Sequence, residues 1–189
     1  QRKNYLVYTM MYLFENYRAS KEKYLGFLQR LADRYFYHVY LDADSLSERN
    51  LPKPNAFDEA LLQNGVLNDK GIDWERKDYK AVFASIYKSG SADIPLFVFN
   101  YTDYKIWKKY ADTLRGRNSK KGSKERNEFF EILGCSDFEL DSFNSFYFSR
   151  TRKSLEHYYP QAKAGADKQL SEKEINCFGN FAMIGAEAN

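Results

Sequence analysis

The amino-acid sequence predicts a mainly α-helical chain that ends in a small module containing β-strands. Apolar residues recur at helical spacing over much of the first 140 residues. Serine and proline residues that favour helix starts precede several of these stretches. Beyond residue 140 the pattern changes to alternating Phe, Tyr and Ser, which is typical of a strand. We therefore expect a helical body over residues 1–140 and a smaller module over residues 141–189.

The first forty residues predict two helices that pack against each other as a hairpin. Ser20 is the expected N-cap of the second helix. The expected apolar faces are Leu6, Met10, Leu13, Phe14 and Tyr17 on the first helix and Tyr24, Phe27, Leu28, Leu31 and Tyr35 on the second. The uncharged run over residues 4–14 is too short to cross a bilayer, which takes about 20 residues. We therefore expect a buried first helix and no membrane partner.

Turn-forming residues and helix caps divide the rest of the chain. Residues 42–56 contain two prolines and predict a loop. Helices are expected over residues 57–63, 78–88, 95–114 and 123–133, the first of them closed by Asn64-Gly65. Strands are expected over residues 143–159 and 175–184, separated by a polar loop over residues 161–174.

Composition excludes several classes of protein. The chain has 189 residues, a net charge of +3 and 17% aromatic residues, so it is neither a polycation nor a disordered chain. Its two cysteines, Cys135 and Cys177, make neither a disulfide scaffold nor a zinc ribbon. A reducing compartment, the cytoplasm, is the simplest interpretation. The start without Met and the end at Asn189 suggest a piece of a longer protein.

Positive charge is concentrated between Lys105 and Arg126, where nine Lys or Arg residues stand against two acids. Basic side chains displace counterions from a nucleic-acid backbone, so this segment is a candidate DNA contact. A solvated surface loop is the alternative interpretation. The candidate DNA-binding residues are Arg115, Arg117, Lys120, Lys121 and Lys124, with Arg150, Arg152 and Lys153 on the following strand.

The segment from Leu155 to Asn189 carries the residues with chemistry. Glu156 and His157 stand side by side at an expected strand end, which Pro160 supports, and Asn180 and Asn189 follow. Hydrolysis of a phosphodiester needs a base for water and a divalent metal on the phosphate. A histidine exchanges protons near neutral pH, and carboxylate and amide oxygens suit Mg²⁺ or Mn²⁺. Neighbouring side chains on a strand point to opposite faces, so this pair can share a site only where the strand ends or twists.

The motifs LEHYYPQ and INCFGNFAMI, with the later Asn189, resemble the HNH (ββα-metal) nuclease module at the C-terminus of GmrSD-like modification-dependent restriction endonucleases. The resemblance covers residues 146–189, and the interval from Asn180 to Asn189 is that of the HNH domain of CRISPR RNA-guided nucleases. It implies a helical body followed by a ββα-metal module. The family's last helix begins near Asn189, so it is expected to be missing from this chain.

The resemblance also implies a role for each matching residue. His157 is the general base, Asn180 ties the loop to the strand and helps fix the histidine, and Glu156 and Asn189 hold Mg²⁺ or Mn²⁺. The implied function is cleavage of modified or foreign DNA, gated by an N-terminal nucleotide-binding domain or subunit that this chain lacks. The missing helix, and Glu in place of the commoner Asp, leave an alternative open. In that alternative, a degenerate HNH module binds nucleic acid or a partner subunit without cutting.

Overall fold

The computed structural model describes residues 4–37, 62–63, 66–67, 94–115, 120–136, 139–146, 152–163 and 170–184. The described chain is mainly helical, and strands form two small antiparallel pairs. Its elements are α1 (Asn4–Glu15), α2 (Lys21–Tyr35), β1 (Leu62–Gln63), β2 (Val66–Leu67), α3 (Leu96–Thr113), α4 (Lys124–Leu133), α5 (Asp141–Asn144), β3 (Ser154–His157), α6 (Glu172–Ile175) and β4 (Phe181–Ile184). The expected loop at 42–56 and helix at 78–88 lie outside the described residues.

The four longer helices begin and end close to the predicted positions. The Ser20 and Ser123 hydroxyls accept hydrogen bonds from the third backbone amides of α2 and α4, which are otherwise without a helical acceptor. Pro95 precedes α3, where its missing N–H costs nothing. Gly134 ends α4 at φ 64°, a left-handed conformation that glycine adopts without a Cβ clash. These helix boundaries therefore follow from local sequence chemistry.

The predicted apolar face of α1 is wrong. Tyr8 is the buried residue of α1, and Tyr12 stacks on Phe27 of α2 with ring centroids 4.0 Å apart. The expected core residues Leu6, Met10, Leu13, Phe14 and Tyr17 are exposed. Almost every position of α1 is apolar or aromatic, so helical spacing alone could not distinguish one face from another. In α2 the prediction is confirmed, because Phe27, Leu31 and Tyr35 are buried.

The helix expected over residues 57–63 is wrong at its described end. Leu62 and Gln63 pair antiparallel with Leu67 and Val66 as β1 and β2. Residues 57–61 and the Asn64-Gly65 connection lie outside the described chain. Asn-Gly is a strong signal for a two-residue hairpin turn, and Leu62 and Leu67 both pack on the α1–α2 core. The described residues on either side of this dipeptide therefore belong to strands and not to a helix.

The C-terminal module has shorter strands than predicted. Residues 141–144 form α5 because Phe143 packs on Tyr110 and Phe129, and the Tyr110 hydroxyl donates to Asn144 Oδ1 at 2.6 Å. The polar stretch 161–174 is not all loop, since a serine-capped helix, α6, begins within it. The strand expected over 175–184 is limited to β4, preceded by a 3₁₀ turn at Phe178–Asn180. Contacts with distant residues override the strand pattern in α5, whereas local hydrogen bonds do so in α6 and the 3₁₀ turn.

The C-terminal module packs on helix α3. Phe99 of α3 stacks on Phe178 with ring centroids 4.5 Å apart and meets Phe181 edge-on at 6.3 Å. Met183 of β4 and Val98 of α3 are buried in the same cluster. Burial of a large apolar side chain contributes about 1.5–3 kcal/mol, so this cluster fixes β3 and β4 on the helical body.

No helix among the described residues has both the length and the apolar character needed to cross a bilayer.

A salt bridge joins Arg152, two residues before β3, to helix α3. Arg152 Nη2 lies 2.6 Å from Asp103 Oδ2 on α3 and also donates to the Met183 carbonyl at 3.2 Å. The guanidinium lies 4.7 Å from the Phe146 ring centroid. Only 12% of the Arg152 side chain is exposed, so its charge depends on Asp103 for compensation.

Replacement of Arg152 by Ala is expected to lower the free energy of unfolding by about 2 kcal/mol, because it leaves the Asp103 carboxylate partly buried without its cation. Lys153→Ala, which removes an exposed cation from the next residue, is the matched control and should change stability by less than about 0.5 kcal/mol. Urea denaturation of the two variants measures the difference. Equal stabilities would show that the ion pair does not hold the hairpin on α3.

Candidate catalytic hairpin

His157 is the last residue of β3, and β4 begins directly opposite it. In the antiparallel register Glu156 pairs with Ala182 and His157 pairs with Phe181. The half-buried imidazole packs against the Phe181 ring, with centroids 4.3 Å apart. Its Nε2 atom lies 3.0 Å from Asn176 Oδ1. The strand thus ends at His157, two residues before the predicted end at 159, and the imidazole is held by one apolar and one polar neighbour.

Asn180 closes the hairpin through its side chain. Its Oδ1 accepts the Tyr159 N–H at 2.8 Å, and its Nδ2 donates to the carbonyls of Tyr159 at 3.2 Å and Ile175 at 2.8 Å. Its backbone carbonyl accepts the Tyr158 N–H at 2.8 Å. Only 8% of Asn180 is exposed, so these bonds satisfy polar groups that solvent reaches poorly. This amide ties the segment after β3 to the segment before β4.

The short helix α6 leads the chain into Asn176. The Ser171 hydroxyl accepts the Glu174 N–H, and the Glu174 carboxylate accepts the Ser171 N–H at 2.7 Å, which forms a reciprocal capping box. The hydrogen bonds from the Ser171 hydroxyl and backbone amide lower the pKa of Glu174 below its ordinary value of 4.5. The carboxylate is therefore charged near neutral pH, and the cap that starts α6 is intact there.

Glu156 occupies the opposite face of β3 from His157. The alternation of a strand separates neighbouring side chains, and Glu156 is exposed while His157 is half-buried. The Ser154 hydroxyl, two residues earlier on the Glu156 face, donates to Glu156 Oε1 at 2.6 Å. Glu156 and His157 therefore lie at the same strand end but are not in contact.

The donor chemistry of the predicted metal ligands fits a hard cation. Glu156 offers an exposed carboxylate, and Asn189 would add an amide oxygen, but Asn189 lies outside the described residues. Within the ranges that the structure covers, no three His, Cys, Asp or Glu side chains cluster so as to hold a metal ion. Only Glu156 of the predicted ligand pair is therefore placed by the structure.

The predicted DNA-binding residues are divided among different surroundings. Arg115, Lys120, Lys121, Lys124 and Lys153 are exposed, Arg152 forms the ion pair with Asp103, and Arg117 and Arg150 lie outside the described residues. Lys124 has Glu128 at 3.7 Å, and the Arg115 guanidinium lies 5.7 Å from the Trp107 ring centroid. The exposed members of the 115–124 segment form what is called here the basic loop.

Helix α3 separates the basic loop from His157. The hairpin packs on Phe99 in the first turn of α3, whereas the basic loop begins after Leu114 at the other end. At about 1.5 Å per residue, the two positions lie about 20 Å apart along the helix axis. A ligand that contacts both must therefore be extended, as a nucleic-acid duplex is.

Sequence patterns did not assign a role to Asn176, to the α6 capping box or to Tyr158. Asn176, which contacts His157, belongs to the INCFGN motif, but no local rule assigns an asparagine there a partner 19 residues away. The capping box was detectable, because Ser171 is followed by Glu174 at the required interval. Tyr158, next to His157, is 87% exposed, so it is the outward member of the Tyr158-Tyr159 pair.

Comparisons of the chain with protein-family models, with characterised proteins and with solved structures find no match.

Replacement of Asn180 by Ala is expected to lower the free energy of unfolding by about 2–3 kcal/mol, because the Tyr159 N–H and two carbonyls lose their partner in a poorly solvated site. Asn180→Asp keeps the acceptor but not the two donated bonds, so it should destabilise as well. Asn127→Ala, at an exposed position of α4, is the control and should change stability by less than about 0.5 kcal/mol. Thermal and urea denaturation measure these differences. Asn180 variants as stable as the control would refute the closing role of this amide.

Proposed function

We propose that this chain is the nuclease segment of a metal-dependent DNA endonuclease of the HNH (ββα-metal) type. The observation that supports it best is the hairpin geometry: a histidine ends the first strand, and a buried asparagine closes the connection to the second. The same residues, in the same order, carry the sequence resemblance. A hairpin of this kind holds an imidazole rigidly at the edge of the fold.

His157 acts as the general base in this proposal. It takes a proton from a water molecule, and the resulting hydroxide forms a bond to the phosphorus of the scissile phosphodiester. The bond from phosphorus to one sugar oxygen breaks, and that oxygen leaves with the electron pair and takes up a proton from solvent. A half-buried imidazole fixed by Asn176 and Phe181 loses little conformational freedom when the substrate arrives. The packing around His157 thus supplies orientation, which general-base catalysis requires.

Glu156 and Asn189 are the residues that would hold Mg²⁺ or Mn²⁺. When bound, the ion supplies positive charge to the phosphate and the leaving oxygen. The protein's own contribution is an exposed carboxylate at the end of β3, held by the Ser154 hydroxyl. A carboxylate anchored in this way stays at the end of β3, one residue before the proposed base and on the other face of the strand.

DNA binding is assigned to the basic loop and to Lys153. The separation of about 20 Å between the loop and the hairpin corresponds to about six base pairs at 3.4 Å each. The loop contacts the phosphate backbone at a distance from the cleaved bond and therefore contributes affinity and not chemistry. In line with the resemblance, the substrate is modified or foreign DNA in the cytoplasm, and an N-terminal nucleotide-binding domain or subunit gates cleavage.

A binding module that does not cut is the second candidate function. One feature favours it: Glu156 stands at a position where the family that the sequence resembles more commonly has Asp. In this alternative the hairpin is a rigid recognition element. DNA binding without cleavage by the complete gene product, in Mg²⁺ or Mn²⁺, distinguishes it from the nuclease.

His157→Ala is expected to lower the rate of plasmid nicking by about 10²- to 10⁴-fold, since the variant lacks the base that activates water. The measurement uses the complete gene product with Mg²⁺ or Mn²⁺ on modified and unmodified plasmids. His38→Ala is the control because His38 is the only other histidine of the chain. It should nick at the parent rate, and unchanged nicking in His157→Ala would remove the base assignment.

Replacement of Lys120, Lys121 and Lys124 by Gln is expected to weaken DNA binding and its salt dependence. The slope of the logarithm of the binding constant against the logarithm of the salt concentration should fall in magnitude by about one for each phosphate contact that is lost. The catalytic rate at saturating DNA should stay the same, because the basic loop is remote from His157. The control replaces three exposed cations of α2, Lys21, Lys23 and Arg30, by Gln. Titration of labelled duplex at several salt concentrations measures both slopes, and equal slopes would mean that the loop is only a solvated surface.

A further inference from the structure

Asn176 is the polar neighbour of the His157 imidazole. Its Oδ1 atom lies 3.0 Å from His157 Nε2 and accepts a second hydrogen bond from Gln161 Nε2 at 3.4 Å. An amide oxygen has two lone pairs and can accept both bonds. Since Gln161 donates to this oxygen, it is the accepting end of the Asn176 side chain that faces the histidine ring.

An accepting oxygen at this position selects one form of the neutral imidazole. A neutral histidine carries its proton on one ring nitrogen and has a lone pair on the other. Asn176 Oδ1 can be satisfied by Nε2 only if Nε2 carries the proton. The lone pair then resides on Nδ1, the nitrogen that remains to take a proton from water.

The backbone at Asn176 is fixed on both sides. The Asn176 N–H donates to the Glu172 carbonyl at 3.1 Å at the end of α6, whose start is held by the capping box. The preceding residue, Ile175, accepts the Asn180 Nδ2 bond at 2.8 Å. The Phe181 ring confines the imidazole itself. The backbone that carries the Asn176 side chain is therefore fixed by the fold, and the amide oxygen itself contacts His157 Nε2 and Gln161 Nε2.

We propose that Asn176 is a positioning residue that holds His157 in the Nε2–H tautomer and so presents Nδ1 as the basic nitrogen. The claim that Nδ1 receives the proton of water depends on the nuclease function proposed above. The claim that Asn176 sets the tautomer does not, because it concerns only the resting protein. The hydrogen bond acts on catalysis through His157, without contact with substrate.

Nitrogen-15 NMR of the imidazole tests the tautomer directly. Long-range ¹H–¹⁵N correlations at a pH where imidazole is neutral distinguish a protonated ring nitrogen from one with a lone pair. The chain has only two histidines, so a His38→Gln background leaves the His157 ring as the single imidazole signal. In that background the parent should show Nε2 protonated and Nδ1 unprotonated. A parent ring with its proton on Nδ1 overturns the proposal.

Three variants separate the effect of the oxygen from a general disturbance of the site. Asn176→Ala removes the acceptor and should give a mixture of the two tautomers. Asn176→Asp keeps an acceptor and should retain the Nε2–H form. Gln161→Ala removes only the second donor to Asn176 Oδ1 and should leave the tautomer as in the parent. An unchanged tautomer in a folded Asn176→Ala protein overturns the proposal, and the Asn176→Asp result decides the matter if the Ala variant is unfolded.

Plasmid nicking by the complete gene product supplies the catalytic readout. Loss of a hydrogen bond that orients a functional histidine typically costs about 10- to 100-fold in activity, and we expect Asn176→Ala to lose kcat in that range with little change in KM. Asn176→Asp should recover part of the rate. If the parent cuts no DNA while the tautomer results hold, the nuclease function fails and the positioning role of Asn176 stands. If the parent cuts and Asn176→Ala loses no rate, the catalytic part of the inference fails.

Discussion

The burial of one helix, α3, is the interaction on which the rest of the described structure depends. Each of the three apolar clusters contains residues of α3: Phe97 packs on the α1–α2 core, Val98 and Phe99 on the C-terminal hairpin, and Tyr110 on α4 and α5. A helix buried on several sides is apolar around most of its circumference. Tyr101 shows the consequence for polar groups, since burial raises the pKa of its hydroxyl, which donates to Asp33 Oδ1 at 3.0 Å.

The hairpin on α3 becomes a site because its polar groups are satisfied locally. Among the described strands, β3 and β4 pair only with each other, and a two-stranded sheet alone is only marginally stable. Packing of Phe178, Phe181 and Met183 on α3 supplies the apolar contribution. The Asn180 amide then joins the two segments, and the α6 cap places Asn176 beside His157. In this proposal, the hydrogen bonds that satisfy buried polar groups also set the geometry of the catalytic residues.

The positive charges divide into those that stabilise the fold and those that solvent surrounds. Lys105 shares Asp33 with the Tyr101 hydroxyl, and Arg152 pairs with Asp103, so both contribute to the attachment of other elements to α3. The lysines of the basic loop, Lys120, Lys121 and Lys124, are exposed. A charge count therefore overstates the surface available to DNA, and only the exposed members can respond to salt as phosphate contacts do.

Local chemistry was sufficient to predict the longer helices, the mainly helical class and the C-terminal hairpin. Ser20, Ser123 and Pro95 act through neighbouring backbone atoms, and such short-range effects are written in the sequence itself. The two strands of the C-terminal hairpin were also expected from their alternating or apolar residues, although both are shorter than predicted. The nuclease assignment of this hairpin remains a proposal.

Long-range packing decided what the sequence could not. Partners distant in the chain decide which face of α1 is exposed and which residues pair as β1 and β2. They also place the first residues of the predicted strand at 143–159 in helix α5. The burial of Arg152 also depends on a distant partner, because the sequence does not show whether an arginine faces solvent or pairs with Asp103. Asn176 is the clearest case: its contact with His157 spans 19 residues, and only the folded turn between α6 and β4 brings the amide oxygen to the imidazole.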